Sequence, residues 1–286
     1  MPVSDVWPEF AVHGKRDVTV RHVLLHTAGV PAPPYDTTVA DLCNWDRICA
    51  EIAAEPPWWE PGTRFGYHPI TFGFLLGETV RRTTGHDLTH WLHALITEPL
   101  GVADEVHFGV PTRLLRRVAR QITAPGYVPT PPPLGSTVDR AIPPAVRPDA
   151  DHVNRRDVLT ADIPSGGTMT ARGAARVYAG LLGHGTSVEL VSRAHLTELA
   201  AVTVTGHDVV MDIDAQWAYG FSPGRPSDVA SRPGSVFGMV GANGSGAYAD
   251  IDTATAFAVM RNRYDGPNLR AIADIDRLIQ HTTTAT

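Results

Sequence analysis

Apolar positions along this chain recur first at helical spacing and later at strand spacing. Residues 17–27 set Val18, Val20, Val23, Leu24 and Leu25 on one short amphipathic face, which Gly29 and Pro31 stop. A second helix is predicted from Thr38 to Glu55. The turn-rich stretch WWEPGTRFGY, residues 58–67, leads into a helix over Ile70–Thr84. Phe72, Leu75, Leu76, Thr79 and Val80 form its apolar stripe and Gly85 its stop. Further helices are predicted over Asp87–Glu98, 169–185 and Ser192–Ala200. Residues 124–148 hold eight prolines and few large apolar side chains, which argues against any helix or central strand and predicts a surface excursion.

After Val202 the period shortens. QWAYGFSP, SVFGMVG, SGAYADID and TAFAVMRNRY are β-branched or aromatic runs broken by Gly, Pro, Asn and Asp, the pattern of an antiparallel meander. Helical spacing returns from Asn268 to Gln280 through Leu269, Ile272, Ile275, Leu278 and Ile279. Helices, then a meander, then one covering helix predict an α+β fold with segregated layers. The expected organisation over 1–286 is one domain of two lobes. A mainly helical part over about 1–201 carries the 124–148 loop, and a part over about 202–286 carries the strands and last helix.

Composition narrows the class. The chain has 286 residues, 43% of them hydrophobic, enough for a large core. Its net charge of −6 gives no general pull toward nucleic acid or an anionic membrane. No stretch approaches the ~18 apolar residues of a membrane span. The first twenty residues carry Asp5, Glu9 and Asp17 and no apolar run, so no signal peptide is read and a soluble, cytoplasmic protein is expected. A shortened N-terminus would leave that location open. Cys43 and Cys49 fit no zinc motif and read as buried free thiols.

Candidate chemistry is sparse. His22 and His26 have the i, i+4 spacing of zinc-protease ligands, but Val23 stands where that motif needs Glu. His86, His90 and His93 share a helical face that reads more simply as exposed and polar. Neither a metal nor a cofactor is expected. No G-x-S-x-G elbow exists, because Asn243 occupies the first Gly position before Ser245, and Ser165 lies in a glycine turn that suits a helix cap. Lys15 is the only lysine, which excludes a phosphate loop. Tyr67 precedes a helix after a rigid turn; taken alone it reads as packing.

Four segments together resemble the serine β-lactamase and penicillin-binding superfamily, in its class C-like, esterase-type branch. They are WPEF…GKRDVTVRHVLLHTAGVP (7–31), WEPGTRFGYHPITFGFLLGETVRRTTG (58–85), VNRRDVLTADIPSGGTMTARGAARVYAGLL (153–182) and FGMVGANGSGAYADIDTATAFAVMRNRY (237–264). The resemblance implies a β-lactamase/transpeptidase-like fold, a helical lobe and an antiparallel sheet flanked by helices, with the site between them. It implies acyl-transfer hydrolysis of a β-lactam, a D-Ala-D-Ala peptide or an ester. A serine in Ser-x-x-Lys attacks the carbonyl, the lysine eases removal of its proton, and water then releases the acyl group. A second-motif tyrosine joins that proton network. A third motif, Lys or His, a small residue, then Gly, precedes a backbone N–H that stabilises the oxyanion.

By this resemblance Tyr67 falls on the second-motif tyrosine, followed by His68 and Pro69. Gly241 falls on the third-motif glycine and Ala242 supplies the oxyanion N–H. Met239, however, replaces the Lys or His, and Val240 fills the small slot. His68 and Asn243 are candidate cleft-lining residues. Ser-x-x-Lys is impossible, since Val12 stands three residues before Lys15. In the family, two strands and the nucleophile helix precede the matching segments, so the expectation is a fold lacking them and inactive as given.

Three readings stand: a truncated copy of a hydrolase, a pseudoenzyme that binds a small molecule, peptide or partner in the retained cleft, or a nucleophile supplied by another chain. Met239 weighs against simple shortening, because the departure reaches the third motif as well. An uncovered sheet edge would also favour a homo-oligomer. No residue chooses among the substrates.

Overall fold

The computed structural model describes residues 1–184, 188–227, 235–266 and 268–283. Its first helix, α1 (Val20–Leu24), starts at a capping box in which Thr19 and His22 each accept the other's backbone N–H. The helix predicted over 38–55 is two helices, α2 (Val39–Leu42) and α3 (Trp45–Ala54). The Asn44 side chain accepts the Arg47 N–H and so begins a new helix. α4 (Thr71–Thr84) runs as predicted and ends at Gly85, whose left-handed backbone closes it. The stretch predicted over 87–98 is a short α5 (Leu88–Trp91) that continues as a π-helical segment, Leu92–Thr97.

These helices share a core with the N-terminal turns. Trp7, Phe10, Val23, Ile48, Ile52 and Phe74 are buried in it, each stabilising the fold by roughly 1.5–3 kcal/mol. Glu78 of α4 lies at the edge of this core with Trp45, Arg81 and Arg82 donating to its carboxylate. Burial opposes its charge, but those donors hold its pKa below the usual carboxylate value.

In the connecting region, β1 (Val106–His107) pairs antiparallel with β3 (Thr168–Met169), and β2 (Ile122–Thr123) lies between them in sequence. The proline-rich excursion does contain a helix, α6 (Thr137–Ala141). No proline falls between Pro133 and Pro143, and the Ser136 hydroxyl caps the helix through the Asp139 N–H. Short helices α7 (Ala150–Val153) and α8 (Arg156–Thr160) follow, then α9 (Ala171–Leu182) and α10 (Arg193–Ala200). Gly183 ends α9, and Gly185, the predicted end, lies outside the described residues.

The strand region is less continuous than the meander predicted for it. β4 (Val204–Asp208) and β5 (Ile213–Trp217) form their own antiparallel hairpin. QWAYGFSP is therefore not one strand: Gln216 and Trp217 end β5, a turn through Gly220 intervenes, and only β6 (Ser222–Pro223) enters the main sheet. That sheet is antiparallel, in the order β6, β7 (Val236–Val240), β8 (Gly246–Asp250), β9 (Thr255–Val259). TAFAVMRNRY also divides, since β10 (Arg263–Tyr264) leaves the sheet and pairs in parallel with β2.

Alternation along the strands builds two faces. Phe237 and Ala249 pack with Leu196 and Ala200 of α10 and with Tyr178 of α9. Val236, Tyr248 and Phe257 point the other way, against Ile272 of α11 (Arg270–Thr283). The fold is α+β, with helices flanking an open antiparallel sheet. No helix among the described residues is long and apolar enough to cross a membrane.

Candidate active site

The loop HTAGVP, which follows α1, is a scaffold for the segment that carries Tyr67. Thr27 O accepts the Gly62 N–H, Gly29 O the Trp58 N–H at 2.7 Å and His26 O the Gly66 N–H. Val30 O accepts the Thr71 hydroxyl at 2.6 Å. Gly29 has φ +82°, and a Cβ there would lie 2.7 Å from Trp59 O, so only glycine fits.

Two buried imidazoles complete the junction. His68 accepts the Val30 N–H on Nε2 at 3.2 Å and donates from Nδ1 to Gly66 O at 2.6 Å. His26 accepts the His68 backbone N–H on Nδ1 at 3.2 Å, which leaves its ring proton on Nε2. Burial drives the His68 pKa down to about 4, and burial together with the neighbouring His68 drives that of His26 well below normal. Both rings are neutral. His68, expected along the cleft wall, is 0% exposed with both nitrogens engaged inside the protein.

Tyr67 stands on this junction and is only partly exposed. Its ring stacks on Trp217, centroids 5.2 Å apart and planes 4° apart, and meets the edge of His26 at 5.0 Å. The Asp208 carboxylate takes the Tyr67 N–H at 2.9 Å with one oxygen, and the Val210 and Met211 N–H groups with the other. Burial, then the charge of Asp208, pushes the Tyr67 hydroxyl up to about 12. At neutral pH it is a hydrogen-bond donor, and no base. Neither Asp208 nor Trp217 was singled out in the sequence. Asp208 acts across 141 positions, and its one local signal was an aspartate opening a turn.

Gly241, Ala242 and Asn243 come together in a tight turn after β7. Gly241 donates to Ser245 O at 2.7 Å and accepts from the Gly244 N–H. Ala242 is exposed, and no group takes its N–H among the described residues. The turn is fastened from behind by Arg261, whose guanidinium donates to Asn243 O, Asn268 O and the Asp265 carboxylate. Its own N–H goes to the Ser245 hydroxyl at 2.9 Å, so Ser245 is an anchor in this turn. Met239 pairs with Ala247 in the sheet and brings neither charge nor a proton to this end of β7.

No hydrogen bond or ring contact links Tyr67 to residues 239–243 among the described residues. The two groups are connected through the chain: β5 ends at Trp217, and five residues later Ser222 pairs with Gly238, next to Met239. Lys15 belongs to neither. It is fully buried, donates to Glu55 O and lies 5.2 Å above the Phe10 ring. His86 and His90 stack face to face at 4.2 Å, while His93 lies nearer His107. No group of three or more His, Cys, Asp or Glu among the described residues is placed to hold a metal. Ser165 is exposed in its glycine turn. A cavity of about 440 Å³ lined by Trp7, Val12, Ala50, Ala53, Glu78 and Arg82 contains none of the candidate residues.

Comparison with known proteins identifies the family and the fold. The Beta-lactamase family profile matches residues 1–281. The chain is 30% identical over 279 residues to "Esterase/beta-lactamase LipL" of Mycobacterium tuberculosis (strain ATCC 25618 / H37Rv), a match over 93% of this chain and 63% of that protein. This chain therefore spans less than two thirds of that relative's length. A family VIII carboxylesterase crystal structure superposes with TM-score 0.83 at 29% identity, over 97% of this chain and 75% of the other. A penicillin-binding protein homolog from Caulobacter crescentus superposes with TM-score 0.83 at 32% identity, over 98% and 75%.

Proposed function

The chain belongs to the beta-lactamase family, and from that premise we propose that residues 1–286 form an acyl-ligand cleft that binds without turning over. The observation that carries this reading is the state of the only lysine. No serine precedes Lys15 by three residues, and its ammonium is committed to Glu55 O beside Phe10. Tyr67 therefore has no lysine beside it to draw off its proton. Its raised pKa fits a donor to a ligand carbonyl, with the Ala242 N–H as the oxyanion-type donor. A β-lactam, a D-Ala-D-Ala peptide or an ester each presents such a carbonyl.

Met239 favours the pseudoenzyme form of this reading over a hydrolase that lacks only its nucleophile segment. Turnover by such a hydrolase would want a proton donor or cation at that position, and the thioether supplies neither. In the other form, a nucleophile helix and two strands outside residues 1–286 complete the site, and β9 offers the strands an edge.

The test is equilibrium binding of a penicillin and of an aryl ester to the chain, followed by melting temperature. Reversible binding that Tyr67→Phe weakens supports the cleft. Binding that is indifferent to Tyr67→Phe contradicts it, and steady hydrolysis of either compound contradicts a silent site.

A further inference from the structure

The acidic total of this chain conceals a basic surface. The turn Thr112–Arg117 buries Leu114 and leaves Arg113, Arg116 and Arg117 exposed. Arg113 is spent on Asp104 at 3.0 Å. Arg116, Arg117, Arg120, Arg156 and Arg263 are exposed and form no ion pair among the described residues. Their acidic neighbours are already engaged: Asp157 by Arg155, Glu105 by Arg172 and Asp265 by Arg261.

The backbone gathers Arg120, Arg156 and Arg263, and Arg116 and Arg117 precede Arg120 in the chain. Residues 120–124 run beside 261–264, with the Ile122 N–H on Asn262 O at 2.8 Å and Ile122 in register with Arg263. Register partners project to the same face, so Ile122 and Arg263 lie side by side. Gln121 turns inward, its Nε2 donating to Arg261 O, so that Arg120 and Ile122 turn out. Asn154 exchanges two hydrogen bonds with the Gln121 backbone and brings Arg156, two residues on, to the same edge.

Large apolar side chains are exposed in β2 and in the segment that follows it. Ile122 is 50% exposed, Val128 78% and Leu134 88%, and the last two are the most exposed large apolar residues among those described. Val128 follows Tyr127, whose ring lies 6.2 Å from that of Tyr264, the neighbour of Arg263. Val128 and Leu134 are the ends of a segment with prolines at 129, 131, 132 and 133, which displays them with little chain entropy left to lose.

We propose that this face, from Arg116 to Leu134 with Arg156 and Arg263, docks the protein on an anionic phospholipid surface. Guanidinium groups match lipid phosphates in geometry and charge, and exposed Val, Leu and Ile enter the headgroup–acyl boundary. A Debye length of about 8 Å keeps the chain's acidic remainder from cancelling the patch at physiological salt. A nucleic acid would use the arginines and gain nothing from Val128 or Leu134.

The experiment is co-sedimentation of the chain with phosphatidylglycerol–phosphatidylcholine vesicles and with phosphatidylcholine alone. Binding to the anionic vesicles only, weakened by salt, is expected. A surface arginine is worth about 1 kcal/mol, or about fivefold, so the triple variant Arg116→Gln, Arg117→Gln, Arg120→Gln loses on the order of 100-fold. Val128→Ser with Leu134→Ser weakens binding further without altering the melting temperature. Equal binding to neutral vesicles, no binding to either, an unaffected triple variant, or displacement of the vesicles by a DNA oligonucleotide would overturn the assignment.

Discussion

The carboxylate of Asp208 accepts the backbone N–H of Tyr67 at 2.9 Å, joining the β4–β5 hairpin to the segment before α4. The same carboxylate holds the Val210 and Met211 N–H groups, and Asp208 is 0% exposed. Asp208→Ala leaves three N–H groups without this partner in a closed site. Each unsatisfied group costs about 1–3 kcal/mol, so a loss on the order of 3 kcal/mol is expected in urea unfolding. Asp208→Asn keeps one acceptor and is expected to lose less. A loss below about 1 kcal/mol for Asp208→Ala would mean that water replaces the carboxylate.

Lys15 makes stability depend on alkaline pH. Burial, partly offset by Glu55, lowers its pKa from 10.5 to about 8 in the fold. Between those values the unfolded chain holds more protons than the folded one, so this group's contribution to stability rises as pH climbs from about 8 to 10.5. The difference in unfolding free energy between the wild type and Lys15→Met is expected to shift across that window in favour of the wild type, by an amount on the order of 2 kcal/mol. A difference that stays flat from pH 7 to pH 11 would place the ammonium in an ordinary aqueous environment.

Two glycines with similar backbones should respond differently. Gly244 has φ +78°, and a Cβ there would lie 2.3 Å from Asn268 O and 2.5 Å from the Arg261 guanidinium. Gly126 has φ +76° and nothing within 4 Å. Gly126→Ala is expected to cost about 1 kcal/mol, the left-handed penalty alone. Gly244→Ala adds a backbone clash and is expected to cost on the order of 3 kcal/mol. Equal losses in thermal melts would show that the Asn268 segment yields freely.

β9 pairs with β8 and with no second strand among the described residues. An open edge of this kind recruits another strand. Sedimentation velocity at micromolar concentration is expected to resolve a dimer of the 286-residue chain. A single monomeric boundary at every concentration would count against pairing through β9.

Much of the helical region was legible because its signals are local. The apolar stripe of α4 and the closing Gly85 lie within one window of sequence, and so do the caps of α9 and α10. The Asn44 cap is equally local, but the apolar spacing continues across it into α3 and masks the break. The strand region was harder. Gln216 and Ser222 sit in one short aromatic run, yet they belong to separate sheets, a division made by long-range pairing. Tyr67 and Gly241 are picked out as candidates by motif resemblance alone. The groups that hold them, Asp208 and Arg261, reach across the fold and leave almost no local trace. His68 looked like a cleft residue from its place beside Tyr67, and only burial revealed it as a bracket between loops.

The most direct measurement is intact-mass spectrometry of the purified 286-residue chain after exposure to a fluorophosphonate and, separately, to a penicillin. A chain with no Ser-x-x-Lys and its only lysine bonded to Glu55 O is expected to keep its unmodified mass with both reagents. A stoichiometric adduct mapped to any serine, Ser165 or Ser245 included, would contradict the account.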